Sequence, residues 1–162
     1  MLLRALILVG VVVLIVVGIG FSVQTNQAAK LPSAYDNGLS VEAAFQGATK
    51  PLLIEFYSDS CHACQIVTPI IHEIYERAYK DKLTFVMANT DDEKNAPIAE
   101  LFGIDAIPAI FVFDPRKMKK AEVLVPEVFH ASDLEKGLAD AFTTVANAKA
   151  KAINPANAPK RL

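Results

Sequence analysis

Cysteine is scarce in this chain: its 162 residues hold two, Cys61 and Cys64. No further thiol exists to build a disulfide framework, which excludes a fold stapled by several bridges. Charge imbalance is missing as well. Sixteen Lys and Arg stand against eighteen Asp and Glu, giving a formal charge of -2 with the cations scattered. There is neither a basic stripe nor an acidic tail, so nucleic-acid binding is not expected. Internal repeats are absent too.

What the chain does have is one uninterrupted apolar run. Residues 5–21, ALILVGVVVLIVVGIGF, carry no charge and lift the mean hydropathy to +0.31. At ~1.5 Å rise per residue these 17 positions span roughly 26 Å, close to a hydrocarbon core, and Leu2, Leu3, Ser22 and Val23 extend them. Residues 1–23 are expected to form a transmembrane anchor. A cleaved signal peptide is the competing reading, but the run exceeds the usual ~7 to 15 residues, and Asn26 and Gln27 stand where cleavage after Ala28 or Ala29 calls for small residues. Arg4 precedes the span and Lys30 is the first cation after it, so the positive-inside bias puts the N-terminus in the cytoplasm. The expected location is a bacterial-type inner membrane crossed once, with the domain facing the periplasm or an equivalent extracytoplasmic space.

Residues 24–39 are polar, hold Pro32 and Gly38, and read as a linker. One ordinary domain of about 110 residues follows over residues 40–145. Ser40 is placed to cap a short helix from Val41 to Gln46, closed by Gly47, before an apolar run at Leu52–Tyr57 that suits a buried strand. Ile66, Val67, Ile70, Ile71, Ile74, Tyr75 and Ala78 recur at helical spacing, with Pro69 expected to bend that helix. A strand over residues 83–89 then completes a parallel βαβ unit. A short helix at residues 96–102, a strand at residues 107–113 and an edge strand at residues 122–125 follow. Ser132 and Glu135 have capping-box spacing for a last helix through Leu134, Leu138, Phe142 and Val145. Residues 146–162 read as a flexible tail.

Cys61 and Cys64 fall at the strand-to-helix turn of the βαβ unit. Three apart at a helix start, both thiols share the first turn within disulfide reach. Cys61 is expected near the first helical position, capped by Ser60 or Asp59, where free N–H groups stabilise a thiolate. That makes Cys61 the nucleophile and Cys64 the resolving thiol. A structural disulfide is the plainer alternative, though so short a loop constrains the unfolded chain little. Zinc is another, with His62 and His72 as further ligands, but His72 lies some 12 Å of rise beyond Cys64, too far for a shared ion.

The stretches IEFYSDSCHACQIVTPIIHEI, LTFVMANTDDE and FGIDAIPAIFVF, in that order and spacing, resemble thioredoxin-like proteins over residues 40–143. The resemblance implies an α/β thioredoxin-like fold, a central mixed sheet flanked by helices, joined here to the N-terminal transmembrane helix. It implies that Pro69 bends the CxxC helix and that Pro108 is a cis-proline opposite the cysteines. Ile107 would offer backbone hydrogen bonds to an extended substrate. It also implies that Glu55 lies beneath Cys64 and relays its proton, a carboxyl in such surroundings having a raised pKa. The other reading of Glu55 is that strand alternation points it to solvent.

Three departures from the family pattern bear on activity. Ser60 stands where an aromatic usually precedes the first cysteine, which makes the rim more polar. His62 and Ala63 replace the Gly-Pro of cytosolic thioredoxins; a protonated His62 would hold the Cys61 thiolate, or else the side chain is a solvated bystander. No glycine follows the edge strand, where Val128, Phe129 and His130 stand instead.

The expected function is thiol–disulfide exchange on protein substrates by a membrane-tethered protein-disulfide oxidoreductase, with a membrane or soluble redox partner. No cofactor or metal is expected beyond the redox-active pair. The 43 residues between Cys64 and Pro108 leave no room for the extra helical domain of dedicated oxidases, favouring a reductase or an assembly factor in cytochrome maturation. A copper or zinc carrier, or a redox-silent docking protein, is the alternative.

Overall fold

Leu52, Ile54 and Phe56 leave one face of a strand and Leu53, Glu55 and Tyr57 the other, as an extended chain dictates, and all six are buried. This strand, β1 (Leu52–Tyr57), lies inside the sheet of the computed structural model, which describes residues 30–148. Parallel to it runs β2 (Thr84–Asn89), with Ile54 opposite Val86. On its other side β3 (Ala109–Asp114) runs antiparallel, setting Glu55 opposite Ile110, and β4 (Lys119–Val123) pairs antiparallel with β3. The strand order is β2-β1-β3-β4, a mixed sheet as expected.

Among the described residues four helices cover it: α1 (Val41–Gln46), α2 (His62–Ala78), α3 (Ala96–Phe102) and α4 (Ala131–Asn147). The inward stripe of α2, Cys64, Val67, Ile71 and Ile74, packs with Leu134, Leu138, Ala141 and Val145 of α4 against Leu53, Tyr57, Ile110 and Val112. On the opposite face Val41 and Ala44 of α1 and Phe102 of α3 cover Leu52, Ile54, Phe56, Phe111 and Phe113. Each large side chain so buried contributes roughly 1.5–3 kcal/mol, and together they fix which edge of the sheet presents the β1–α2 turn.

Local chemistry sets the ends of the elements. The Ser40 hydroxyl accepts the Ala43 N–H at 3.2 Å to start α1, and α3 stops at Gly103, whose φ of 72° suits glycine. α2 runs unbroken through Pro69. α4 starts earlier than the Ser132–Glu135 spacing predicts: it is the Asp133 carboxylate that accepts from the backbone N–H of His130, at 2.7 Å. β4 likewise begins at Lys119 rather than 122, because a tight turn after Asp114, with Met118 at φ 49°, brings Lys119 directly opposite Asp114.

The stretch 31–39, read from sequence as part of the linker, is packed on the domain. Residues Pro32–Tyr35 form a 3-10 turn, Ser33 N–H donates to Asp59, and the Asn37 amide donates to the Phe85 carbonyl at 3.1 Å on the outer side of β2. Asn95 does the same for the carbonyl of Asn89, so side chains blunt this sheet edge.

The expected anchor at residues 1–23 and most of the expected tail lie outside the described residues. Among the described residues no helix is long and apolar enough to cross a membrane. The longest, α2 and α4, have 17 residues each and carry exposed charges, Glu73, Glu76 and Arg77 on one, Glu135, Lys136 and Asp140 on the other.

Candidate functional site

Chain direction through β1 delivers Ser58, Asp59 and Ser60 to the carboxyl end of the sheet, where polar contacts hold the turn. Buried Ser58 donates to Asp91 at 2.6 Å and accepts the Ser60 N–H at 3.2 Å, while the two serine hydroxyls lie 2.8 Å apart. The Gln65 side chain donates back to the Asp59 carbonyl at 2.8 Å. The residue before Cys61 is thus tied into the fold by hydroxyls. Sequence reading missed Ser58 and Asp91, which lie 33 residues apart and share no local signal.

Cys61 is itself the N-cap of α2, where Ser60 or Asp59 had been expected in that role. Its sulfur does what a capping oxygen does, accepting the Cys64 N–H at 3.1 Å. The two cysteines are joined as a disulfide with Cα atoms 5.2 Å apart. They are unequal in access: Cys64 is fully buried under α2, whereas Cys61 is partly exposed. His62 and Ala63 point outward on the first turn. Across the edge, Cys61 Sγ lies 3.7 Å from the carbonyl oxygen of Ile107, and the Ile107–Pro108 peptide bond is cis. Both Ile107 and Pro108 are half-buried, leaving their outer sides open beside the sulfur.

Glu55 does not reach solvent. It is fully buried on the α2 face of β1, where Oε1 accepts the Thr68 hydroxyl at 2.5 Å and Oε2 has no hydrogen-bond partner. Burial raises its pKa from 4.5 to about 7, with the Thr68 bond opposing. Thr68, which sequence reading passed over, stands one helical turn beyond Cys64; the four-residue spacing was the signal for it.

His72, the distant candidate for a metal, packs among Tyr35, Tyr75 and Phe85, with ring centroids 5.0, 6.2 and 5.5 Å away. Among the described residues no group of three or more His, Cys, Asp or Glu side chains could hold a metal ion.

Comparison with known proteins agrees with this geometry. The family model described as Thioredoxin matches residues 35–139. Thioredoxin-like protein HCF164, chloroplastic, of Arabidopsis thaliana is 33% identical over 105 residues, covering 65% of this chain and 36% of that protein. Thioredoxin M-type, chloroplastic, of Chlamydomonas reinhardtii is 40% identical over 78 residues, covering 48% and 52%. Thiol:disulfide interchange protein TxlA of Synechococcus elongatus is 35% identical over 96 residues, covering 59% and 48%. The chain therefore spans about a third to a half of the length of these relatives. The expected location, a bacterial-type inner membrane with the domain in the periplasm, is overturned: two of these relatives are named chloroplastic, and no helix among the described residues is long and apolar enough to cross a membrane.

Proposed function

Because the chain belongs to the thioredoxin family, we propose that it exchanges disulfides with protein thiols through Cys61 and Cys64. The observation that carries this reading is the asymmetry of the pair: an accessible sulfur at a helix cap and a buried one behind it.

In reduction of a target disulfide, the Cys61 thiolate attacks one target sulfur and the other leaves as a thiolate. The Cys64 N–H and the free end of α2 stabilise negative charge on Cys61. Cys64 then loses its proton to Glu55, attacks the Cys61 sulfur and expels the second target thiol. Two electrons pass to the target, and the pair is left as the disulfide. Run backwards, the same steps oxidise a dithiol. The Ile107 backbone pairs with the extended substrate, Pro108 shapes the surface beside the sulfur, and His62 stands exposed on the first turn of α2 beside the pair.

We assign the forward direction, as a reductase or as an assembly factor for thiol-bearing proteins such as cytochromes. In support, the chain between Cys64 and Pro108 supplies the rest of α2, β2 and α3 without an inserted helical domain. A dithiol of another protein serves as electron donor. The name of the Synechococcus relative, a thiol:disulfide interchange protein, agrees with exchange as the chemistry.

The test is catalysed reduction of insulin by dithiothreitol, followed by turbidity. Wild type should accelerate it and Cys61→Ser should not. Equal rates for the two would overturn the reading.

A further inference from the structure

We propose that Thr68 is the positioning residue for the proton that Cys64 releases: its hydroxyl engages Oε1 of Glu55 and so assigns the proton to Oε2. The inference rests on the exchange reading given above and concerns its resolving step.

Two periodicities set the three side chains on the facing, buried sides of β1 and α2. Alternation along β1 turns Glu55 to the face that α2 covers, and four-residue spacing sets Thr68 directly beyond Cys64 on the inward stripe of α2. All three are fully buried. The rest of that stripe, Val67, Ile71 and Ile74, is apolar, so the Thr68 hydroxyl is an exception that requires a reason.

A threonine inside a helix ordinarily turns its hydroxyl back to a carbonyl of the preceding turn. Thr68 instead reaches across to the sheet and donates to Glu55 Oε1 at 2.5 Å. A hydroxyl has one proton to give, and here it is given to Oε1. The carboxyl oxygens are then inequivalent. A proton arriving on Oε1 would meet that of Thr68 and force the hydroxyl to turn from donor to acceptor, whereas a proton arriving on Oε2 leaves the bond as it stands. Oε2 is the buried atom with no partner among the described residues, a vacancy that structural packing alone leaves unexplained.

The surroundings keep this titration simple. On α2 the ionisable side chain of the buried stripe is Cys64. On β1 it is Tyr57, whose phenol is pushed up to about 12 by burial and by Asp36, Asp59 and Glu55, and which stays neutral. The flanking residues in register, Met87 of β2 and Ile110 of β3, carry no charge, and the inward residues Leu134, Leu138 and Ala141 of α4 are apolar.

The experiment uses reduced protein mixed rapidly with the aromatic disulfide of thionitrobenzoate. Attack by Cys61 releases one thionitrobenzoate in a first phase, and resolution by Cys64 releases the second. The rate of the second phase is measured against pH for wild type, Thr68→Val and Thr68→Ser. Removing the donor destabilises the Glu55 carboxylate, so in Thr68→Val the acid limb of the second phase should move up by about one pH unit. Its rate at pH 7 should fall about three- to tenfold, while the first phase is unchanged. Thr68→Ser, which keeps the hydroxyl, should return the wild-type profile, a recovery that a packing role would not produce. If Thr68→Val does not fold, Thr68→Ala carries the same expected shift. A Thr68→Val profile superimposable on wild type overturns the proposal and leaves the exchange reading standing. A wild type with no second phase defeats the exchange reading itself.

Discussion

The Cys61 sulfur lies 3.7 Å from the carbonyl oxygen of Ile107, a residue 46 positions further along the chain. That contact joins the β1–α2 turn to the start of β3, and the antiparallel pairing of β1 with β3 makes it possible by bringing the end of one strand to the beginning of the other. The accessible half of the disulfide therefore faces backbone able to pair with an incoming chain. The other half, Cys64, is buried, as are Glu55 and Thr68.

Glu55 imposes a pH dependence on stability. Its pKa rises from 4.5 to about 7 on folding, so the folded protein favours the neutral acid. The stability this contributes is complete below pH 4.5 and is lost as pH rises through about 7. The loss should approach about 3 kcal/mol once both states are ionised. Urea unfolding of the oxidised protein at pH 5 and pH 9 measures it, and Glu55→Gln should remove the difference between the two.

Arg116 holds the buried carboxylate of Asp114. Burial alone would raise the pKa of Asp114, but bonds from the Arg116 Nε and second guanidinium nitrogen, both at 2.9 Å, outweigh it and keep the value low. The sign is opposite to that of Glu55: this contribution is present above the unfolded pKa and fades as pH falls. Arg116→Ala should cost about 2 kcal/mol at neutral pH, less than the loss of one partner from a fully buried pair, because the guanidinium is half exposed. Denaturant titration at pH 7 and pH 3 should show the difference shrinking at the lower pH.

The start of α4 distinguishes two overlapping capping signals. Asp133 accepts the His130 N–H at 2.7 Å, so Asp133→Ala should cost about 1 kcal/mol and lower the melting temperature by roughly 4–8 °C. Ser132→Ala should leave it nearly unchanged. A reversal of the two effects would restore the later start that Ser132 and Glu135 suggest.

Legibility in the sequence follows the range of each interaction. Cys61 and Cys64, the Ser40 cap and the apolar stripe of α2 depend on neighbours within a turn, and they are visible in the residue string. The pairing of Ser58 with Asp91 and of Asn37 with Phe85 depends on chain brought together by the sheet, across 33 and 48 residues, and no local spacing announces it. For the same reason residues 31–39, polar and aperiodic, read as linker until Phe85 and Asp59 are seen to receive them. Glu55 is ambiguous in the sequence because alternation fixes which residues share a face but not which face is covered. The cap of α4 is hidden because a histidine three positions before an aspartate is a weaker signal than serine before glutamate.

The measurement closest to the central claim is mass spectrometry of Cys64→Ala after incubation with a protein disulfide. With the buried sulfur gone, the accessible one can attack but the mixed disulfide cannot be resolved from within. A covalent adduct on Cys61 that dithiothreitol releases, absent from Cys61→Ala, is the result expected. Recovery of Cys64→Ala without any adduct would contradict the assignment of Cys61 as nucleophile and, with it, thiol–disulfide exchange as the function.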